Sequence, residues 1–100
     1  MAIVPLSVRP AIRAVLDQLV DGQFPNQLTW VSDYGETGAV LIRQPDSIWE
    51  HPRSDVLERQ DGFYAMTLPL WTTDESPSEL SAELGVSPEG VVTLEDVHVL

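Results

Sequence analysis

The chain has 100 residues, of which 43% are apolar, and its formal net charge at pH 7 is −11. This length predicts one compact domain over residues 1–100, and the acidic balance argues against direct nucleic-acid binding, which depends on phosphate neutralisation by Lys and Arg. The sequence has no cysteine, no signal-like leader and no long apolar run, so we expect no disulfide or thiolate chemistry, no membrane association and a cytoplasmic location.

The first predicted element is a helix over about Val8 to Asp21. Its apolar residues recur at helical spacing along one stripe, namely Ile12, Val15, Leu16, Leu19 and Val20. Ser7 is the expected N-cap, Pro10 falls in the first turn where its missing N–H is not needed, and Gly22 is the expected stop.

The opposite side of this helix carries charged residues four positions apart. These are Arg9, Arg13 and Asp17. We expect a solvated face with weak ion pairs there, and not a binding site.

The middle of the chain has a less regular pattern. Residues 28–35 are compatible with a short helix or an irregular turn, and Ala39–Arg43 predicts a short strand that Pro45 ends. The following loop contains Trp49 and His51, which we interpret as local packing residues.

From Val56 onward the pattern is typical of strands and turns. Residues 56–59, a turn containing Gly62, and residues 63–71 predict a hairpin. One face of its second strand alternates as Tyr64, Met66, Leu68 and Leu70. Because Pro69 has no N–H, it predicts an edge position or a bulge. Trp71 has the opposite parity and is expected on the face away from the core.

Two further strands complete the predicted sheet. Leu80, Ala82, Leu84 and Val86 alternate with Glu79, Ser81, Glu83 and Gly85. A tight turn follows at residues 88–90, and the last strand changes parity between Leu94 and Val97, which predicts a bulge near Glu95–Asp96. The fold class is therefore α+β, with an N-terminal helix packed on a mostly antiparallel β-meander of about four strands.

The negative charge is concentrated in the C-terminal part. Residues 60–100 contain three Asp, five Glu and no Arg, which gives eight of the eleven net negative charges. An antiparallel sheet with one solvent-exposed face explains why such carboxylates point outward. Like charges on neighbouring strands are unfavourable for the isolated domain. We expect a basic protein partner, bound by Trp71 as anchor together with Asp74, Glu75, Glu79, Glu83 and Glu95.

Motifs for catalysis or metal binding are absent. There is no HExxH, calcium-loop or GxSxG pattern, and the two histidines lie 47 positions apart. Asp96 and His98 share a face of the last strand and could form an acid–base pair, but we interpret them as structural. We therefore expect no catalytic residue, no metal site, no cofactor and no enzymatic activity.

The C-terminal segments FYAMTLPLWTTDESPSELSAELGV and GVVTLEDVHVL, together with the first helix, carry a resemblance. They resemble a family of small uncharacterised acidic bacterial proteins with an aromatic strand, a Leu-Trp-Thr element and a final strand ending near Asp-Val-His-Val. The resemblance implies an accessory or immunity-type protein, and it supplies no catalytic residue.

Three functions remain open at this point. The first is a protein-binding module, such as an immunity protein or inhibitor that covers a basic surface on a toxin or nuclease. The second is a cone-shaped domain, similar to nuclear-transport-factor-like or cystatin-like folds, that binds a small molecule or catalyses a reaction on it. An apolar pocket on which His98, Asp96 or Tyr64 converges would favour this function. The third is a homodimer that pairs sheets or edges, whose acidic faces would repel each other unless the contact used the helix or Trp30 and Trp49.

Overall fold

The computed structural model describes residues 4–23 and 40–99, without the side chain of Val99. The ambiguous segment 28–35, with Trp30, and Ala39 lie outside the described residues. A 3-10 turn (Leu6–Val8) leads into helix α1 (Arg9–Val20), and a second 3-10 turn spans Asp46–Trp49. Four strands follow: β1 (Asp55–Glu58), β2 (Tyr64–Pro69), β3 (Leu80–Val86) and β4 (Val92–Val99).

The α+β prediction is confirmed. The four strands form one sheet in the order β1-β2-β3-β4, and each neighbouring pair is antiparallel. Helix α1 contacts β4 and packs on one face of the sheet through Ile12, Leu16 and Leu19, which are buried in the common core. We call the sheet surface away from α1 the outer face.

The helix lies where its apolar stripe predicts, but it begins differently. Ser7 belongs to the preceding 3-10 turn, Val8 occupies the N-cap position and no side chain caps the helix. The predicted capping role of Ser7 is therefore wrong. Pro10 does lie in the first turn, and Gly22 follows the helix with a φ of 83°, a left-handed conformation that favours glycine.

The alternation in β2 and β3 places the predicted residues in the core. Leu68, Leu80, Ala82 and Leu84 are fully buried. The pairing of β1 with β2 ends at Asp55 and Thr67. Pro69 lies beyond this pair, so no β1 residue stands opposite it to accept a hydrogen bond from a backbone N–H. The predicted edge position of Pro69 is confirmed.

The predicted bulge is present in β4. Glu83 pairs with Asp96, whereas the next β3 residue, Leu84, pairs with Leu94, so Glu95 is the extra residue. The insertion changes the parity of the strand, and Val97 and Leu94 both contribute to the core. It also leaves Glu95 and Asp96 on the outer face together.

The predicted strand Ala39–Arg43 is wrong over its described part. Leu41 makes a single antiparallel bridge to Thr72, and no strand forms in the segment 40–54. Two backbone hydrogen bonds flank this bridge, from the Ile42 N–H to the Trp71 carbonyl at 3.3 Å and from the Thr73 N–H to the Val40 carbonyl at 3.0 Å. The Gln44 side chain adds to them: its Oε1 accepts the Trp71 N–H at 2.6 Å, and its Nε2 donates to the Trp71 carbonyl at 3.1 Å. Because the buried Gln44 amide satisfies the Trp71 N–H, the pairing can stop at this bridge without leaving that group unpaired.

Trp71 is a core residue, which corrects its predicted position on the face away from the core. Only 7% of it is exposed. β2 ends at Pro69, so the alternation of the strand no longer determines where Trp71 points. The segment containing Gln44 covers it, and the His51 ring stands edge-on to it with 5.4 Å between ring centroids.

The charged side of α1 contacts other parts of the chain, which corrects the expectation that it is a solvated face with weak ion pairs. Arg9 donates to the Val4 carbonyl at 2.9 Å. Arg13 donates to the Gln44 carbonyl and, at 2.8 Å, to Asp46. Both guanidinium groups lie over the buried Trp49 ring, at 5.8 and 5.1 Å from its centroid. These contacts join the helix to the 3-10 turn and confirm Trp49 as a packing residue.

Asp17 also has a partner from the middle segment. Its Oδ1 lies 3.3 Å from Arg43, which approaches Asp21 at 3.0 Å. The hydrogen bond with Asp17 and the charge of Asp21 raise the pKa of Arg43 above its ordinary value. Because this cluster is largely exposed, it contributes little to stability.

Candidate functional site

Carboxylates gather on the outer face of the sheet. One row of directly paired residues crosses all four strands as Asp55, Thr67, Glu83 and Asp96. Glu95 joins them, because a Cβ added to Gly85 would lie 3.1 Å from the Glu95 Oε1. Four carboxylates, from Asp55, Glu83, Glu95 and Asp96, thus share one surface.

The next row of the outer face has small side chains at its centre. It crosses the sheet as Leu57, Ala65, Gly85 and Thr93. Leu57 is 61% exposed. With Asp55, Thr67, Glu83 and Glu95, the first part of this row lines a shallow groove, so the acidic surface has an apolar floor.

Arginines flank β1 at both of its ends: Arg53 lies just before the strand and the exposed Arg59 just after it. None of the residues in β1 to β4 is Lys or Arg. Arg53, just before β1, donates to the Ser78 carbonyl at 2.5 Å and lies 3.4 Å from the Ser81 Oγ. Ser81 has outward parity as predicted, but it is buried, so the solvent-exposed part of the outer face does not extend to it.

Glu83, Asp96 and His98 form the tightest polar cluster on this face. The His98 Nε2 lies 3.3 Å from the Glu83 Oε1. One ligand atom from each of the three residues lies within 4.8 Å of the other two. The predicted shared face of Asp96 and His98 is confirmed, whereas Glu83 was missed as their neighbour. Cross-strand register, which the bulge changes, was the information needed to find it.

The chain was then compared with known proteins. Residues 11–100 match the model of DUF7668, a domain of unknown function. The chain belongs to this family. No curated protein and no solved structure matches the chain significantly.

The DUF7668 domain separates the residues predicted to bind a partner into three groups. Glu83 and Glu95 come together on the outer face, where the structure adds Asp55 and Asp96. Asp74, Glu75 and Glu79 are exposed in the connection between β2 and β3. Trp71 is buried and offers no exposed aromatic anchor.

The residues named for a cone-shaped pocket lie on two different faces of the sheet. Tyr64 pairs with Val86 and packs partly buried against the core of the DUF7668 domain. Asp96 and His98 lie with Glu83 on the outer face. The sheet therefore separates Tyr64 from Asp96 and His98, so the three side chains do not share one cavity.

Among the described residues, no helix is both long and apolar enough to span a bilayer.

Proposed function

We propose that this DUF7668 domain is a non-enzymatic binding module whose outer face accepts a basic protein. One observation carries the proposal: Asp55, Glu83, Glu95 and Asp96 share a surface built from strands that contain no Lys or Arg. Complementary potentials of this kind determine which partners are accepted and accelerate their association.

The arrangement is unfavourable for the isolated domain. Glu83 and Asp96 stand directly opposite each other on neighbouring strands, and like charges in such pairs destabilise a sheet. Lys or Arg side chains of a partner relieve this repulsion when they enter the groove. The exposed Leu57 and the neighbouring Ala65 give the aliphatic parts of those side chains an apolar contact.

An immunity or inhibitory role follows from the same chemistry. A basic toxin or nuclease uses a cationic surface to hold an anionic substrate. A domain that covers this surface with carboxylates blocks the substrate without any reaction of its own. Asp74, Glu75 and Glu79 extend the acidic region into the β2–β3 connection.

Affinity capture from the native host tests the proposal. The bait is the wild-type chain, compared with a variant that removes four outer-face charges, D55N/E83Q/E95Q/D96N. We expect the wild type to retain a basic protein at low salt and release it at high salt, because screening weakens the attraction. The outer-face variant should lose this protein.

A matched control removes the same number of charges elsewhere. The control variant, E50Q/E58Q/D61N/E89Q, changes four exposed carboxylates off the outer face to their amides. We expect this control to retain the partner. Equal loss in both variants would show that net charge, and not the outer face, governs binding, and retention by the outer-face variant would refute the proposal.

A further inference from the structure

We infer that Glu83, Asp96 and His98 form a binding site for a divalent first-row transition metal, best matched by Zn²⁺. The site shares Glu83 and Asp96 with the proposed partner surface, but the inference goes beyond the proposed function because it concerns the free chain and is tested without a partner. It rests on the donor atoms, their spacing and their position on the sheet.

The spacing of the donors fits a small tetrahedral ion. Zinc bonds to His nitrogen and carboxylate oxygen are about 2.0–2.2 Å long, so two donors of a tetrahedral ion lie about 3.3–3.5 Å apart. The Glu83 Oε1 and the His98 Nε2 are 3.3 Å apart. The donor of Asp96 lies within 4.8 Å of both, a separation that side-chain rotation can shorten.

The sheet holds the donors on adjacent strands. Asp96 is paired with Glu83, and His98 is paired with Ser81, two residues before Glu83 on β3. The bulge at Glu95 gives Asp96 and His98 this register. Donors on paired strands are positioned more accurately than donors on loops, and the Val97 N–H orients Asp96 by donating to its Oδ1 at 2.9 Å.

The donor set also selects the class of ion. Mg²⁺ and Ca²⁺ prefer oxygen donors alone, whereas imidazole suits Zn²⁺ and its first-row neighbours. An ion neutralises the repulsion between Glu83 and Asp96, and three protein donors leave further coordination positions for water. The Arg53 guanidinium lies near Ser81, which opposes His98, and its charge reduces the affinity.

Titration of the untagged, chelator-treated chain tests the site. Zn²⁺ is followed by calorimetry and Co²⁺ by visible absorption, because four- or five-coordinate Co²⁺ absorbs more strongly than the hydrated ion. We expect one saturable site with micromolar affinity. His98→Gln and Asp96→Asn should each weaken it by about 10-fold or more, since even outer-shell changes cost 10- to 100-fold.

The other histidine and an exposed carboxylate supply matched controls. His51→Gln and Asp61→Asn should leave the affinity within about 3-fold of wild type, because neither residue belongs to the cluster. Circular dichroism checks that each variant is folded, and Glu83→Gln replaces any cluster variant that is not. The inference fails if the wild type shows no saturable binding at millimolar metal, or if the folded cluster variants bind as tightly as wild type.

Discussion

Glu83 of β3 and Asp96 of β4 are directly paired on the outer face, although the next pair along joins Leu84 to Leu94. Glu95 is therefore an extra residue in β4, and its insertion is what allows Val97 to reach the core beyond it. The acidic character of the outer face and the burial of the last strand depend on the same irregularity.

Deletion of Glu95 should be tolerated. The pairs on both sides of the bulge are already those of a regular ladder, so removing the extra residue leaves Leu84 opposite Leu94 and Ala82 opposite Val97. We expect cooperative unfolding in urea with a loss of stability of about 1–2 kcal/mol. Deletion of Val97 is the contrasting variant, because it moves His98 into the core position and should abolish folding. Equal loss in both deletions would contradict the assigned register.

Asp96→Asn should stabilise the free domain at low ionic strength. The substitution removes one of two opposed carboxylates and keeps an oxygen that accepts the Val97 N–H. We expect a gain of about 0.2–1 kcal/mol in the free energy of unfolding, which shrinks as salt rises. Denaturation in urea at low and high NaCl measures it.

Asp61→Asn is the control for that gain. Its Oδ1 accepts the Phe63 N–H in the hairpin turn, so the same chemical change is made away from the Glu83–Asp96 pair. An equal gain in the free energy of unfolding of this variant would show that the effect comes from net charge alone.

Gln44→Ala should destabilise the domain through the backbone of Trp71. The Gln44 side chain accepts the Trp71 N–H and donates to the Trp71 carbonyl, and both residues are buried. The Trp71 carbonyl keeps the hydrogen bond from the Ile42 N–H, so only the Trp71 N–H is left unsatisfied, and an unsatisfied buried group costs about 1–3 kcal/mol. We therefore expect a loss of about 1–3 kcal/mol by urea denaturation. Gln18→Ala, at an exposed helix position, should change stability by less than about 0.5 kcal/mol. Similar effects of the two substitutions would contradict the role of Gln44.

Leu84→Ala and Leu57→Ala test the two faces of the sheet with one chemical change. Leu84 is fully buried, whereas Leu57 is 61% exposed on the outer face. We expect a loss of about 2–5 kcal/mol for the first and within about 0.5 kcal/mol for the second. A large loss at Leu57 would show that its side chain is covered in the folded chain.

Local sequence patterns predicted most of the regular structure. The period-two alternation of β2 and β3 identified Leu68 and Leu84 as core residues, and the helical spacing around Leu16 located α1. The parity change after Leu94 was enough to place the bulge. Each of these patterns comes from neighbouring residues on one element that must bury the same face.

The sequence by itself thus determined the helix, the antiparallel meander and the outward direction of Glu83 and Glu95. Only the tertiary structure decided that Trp71 is buried, that Gln44 binds its backbone, and that Asp55 joins the acidic face. The physical reason is that these outcomes depend on contacts between segments far apart in the chain. Alternation shows which side of a strand a residue occupies, but it does not show which distant segment covers that side.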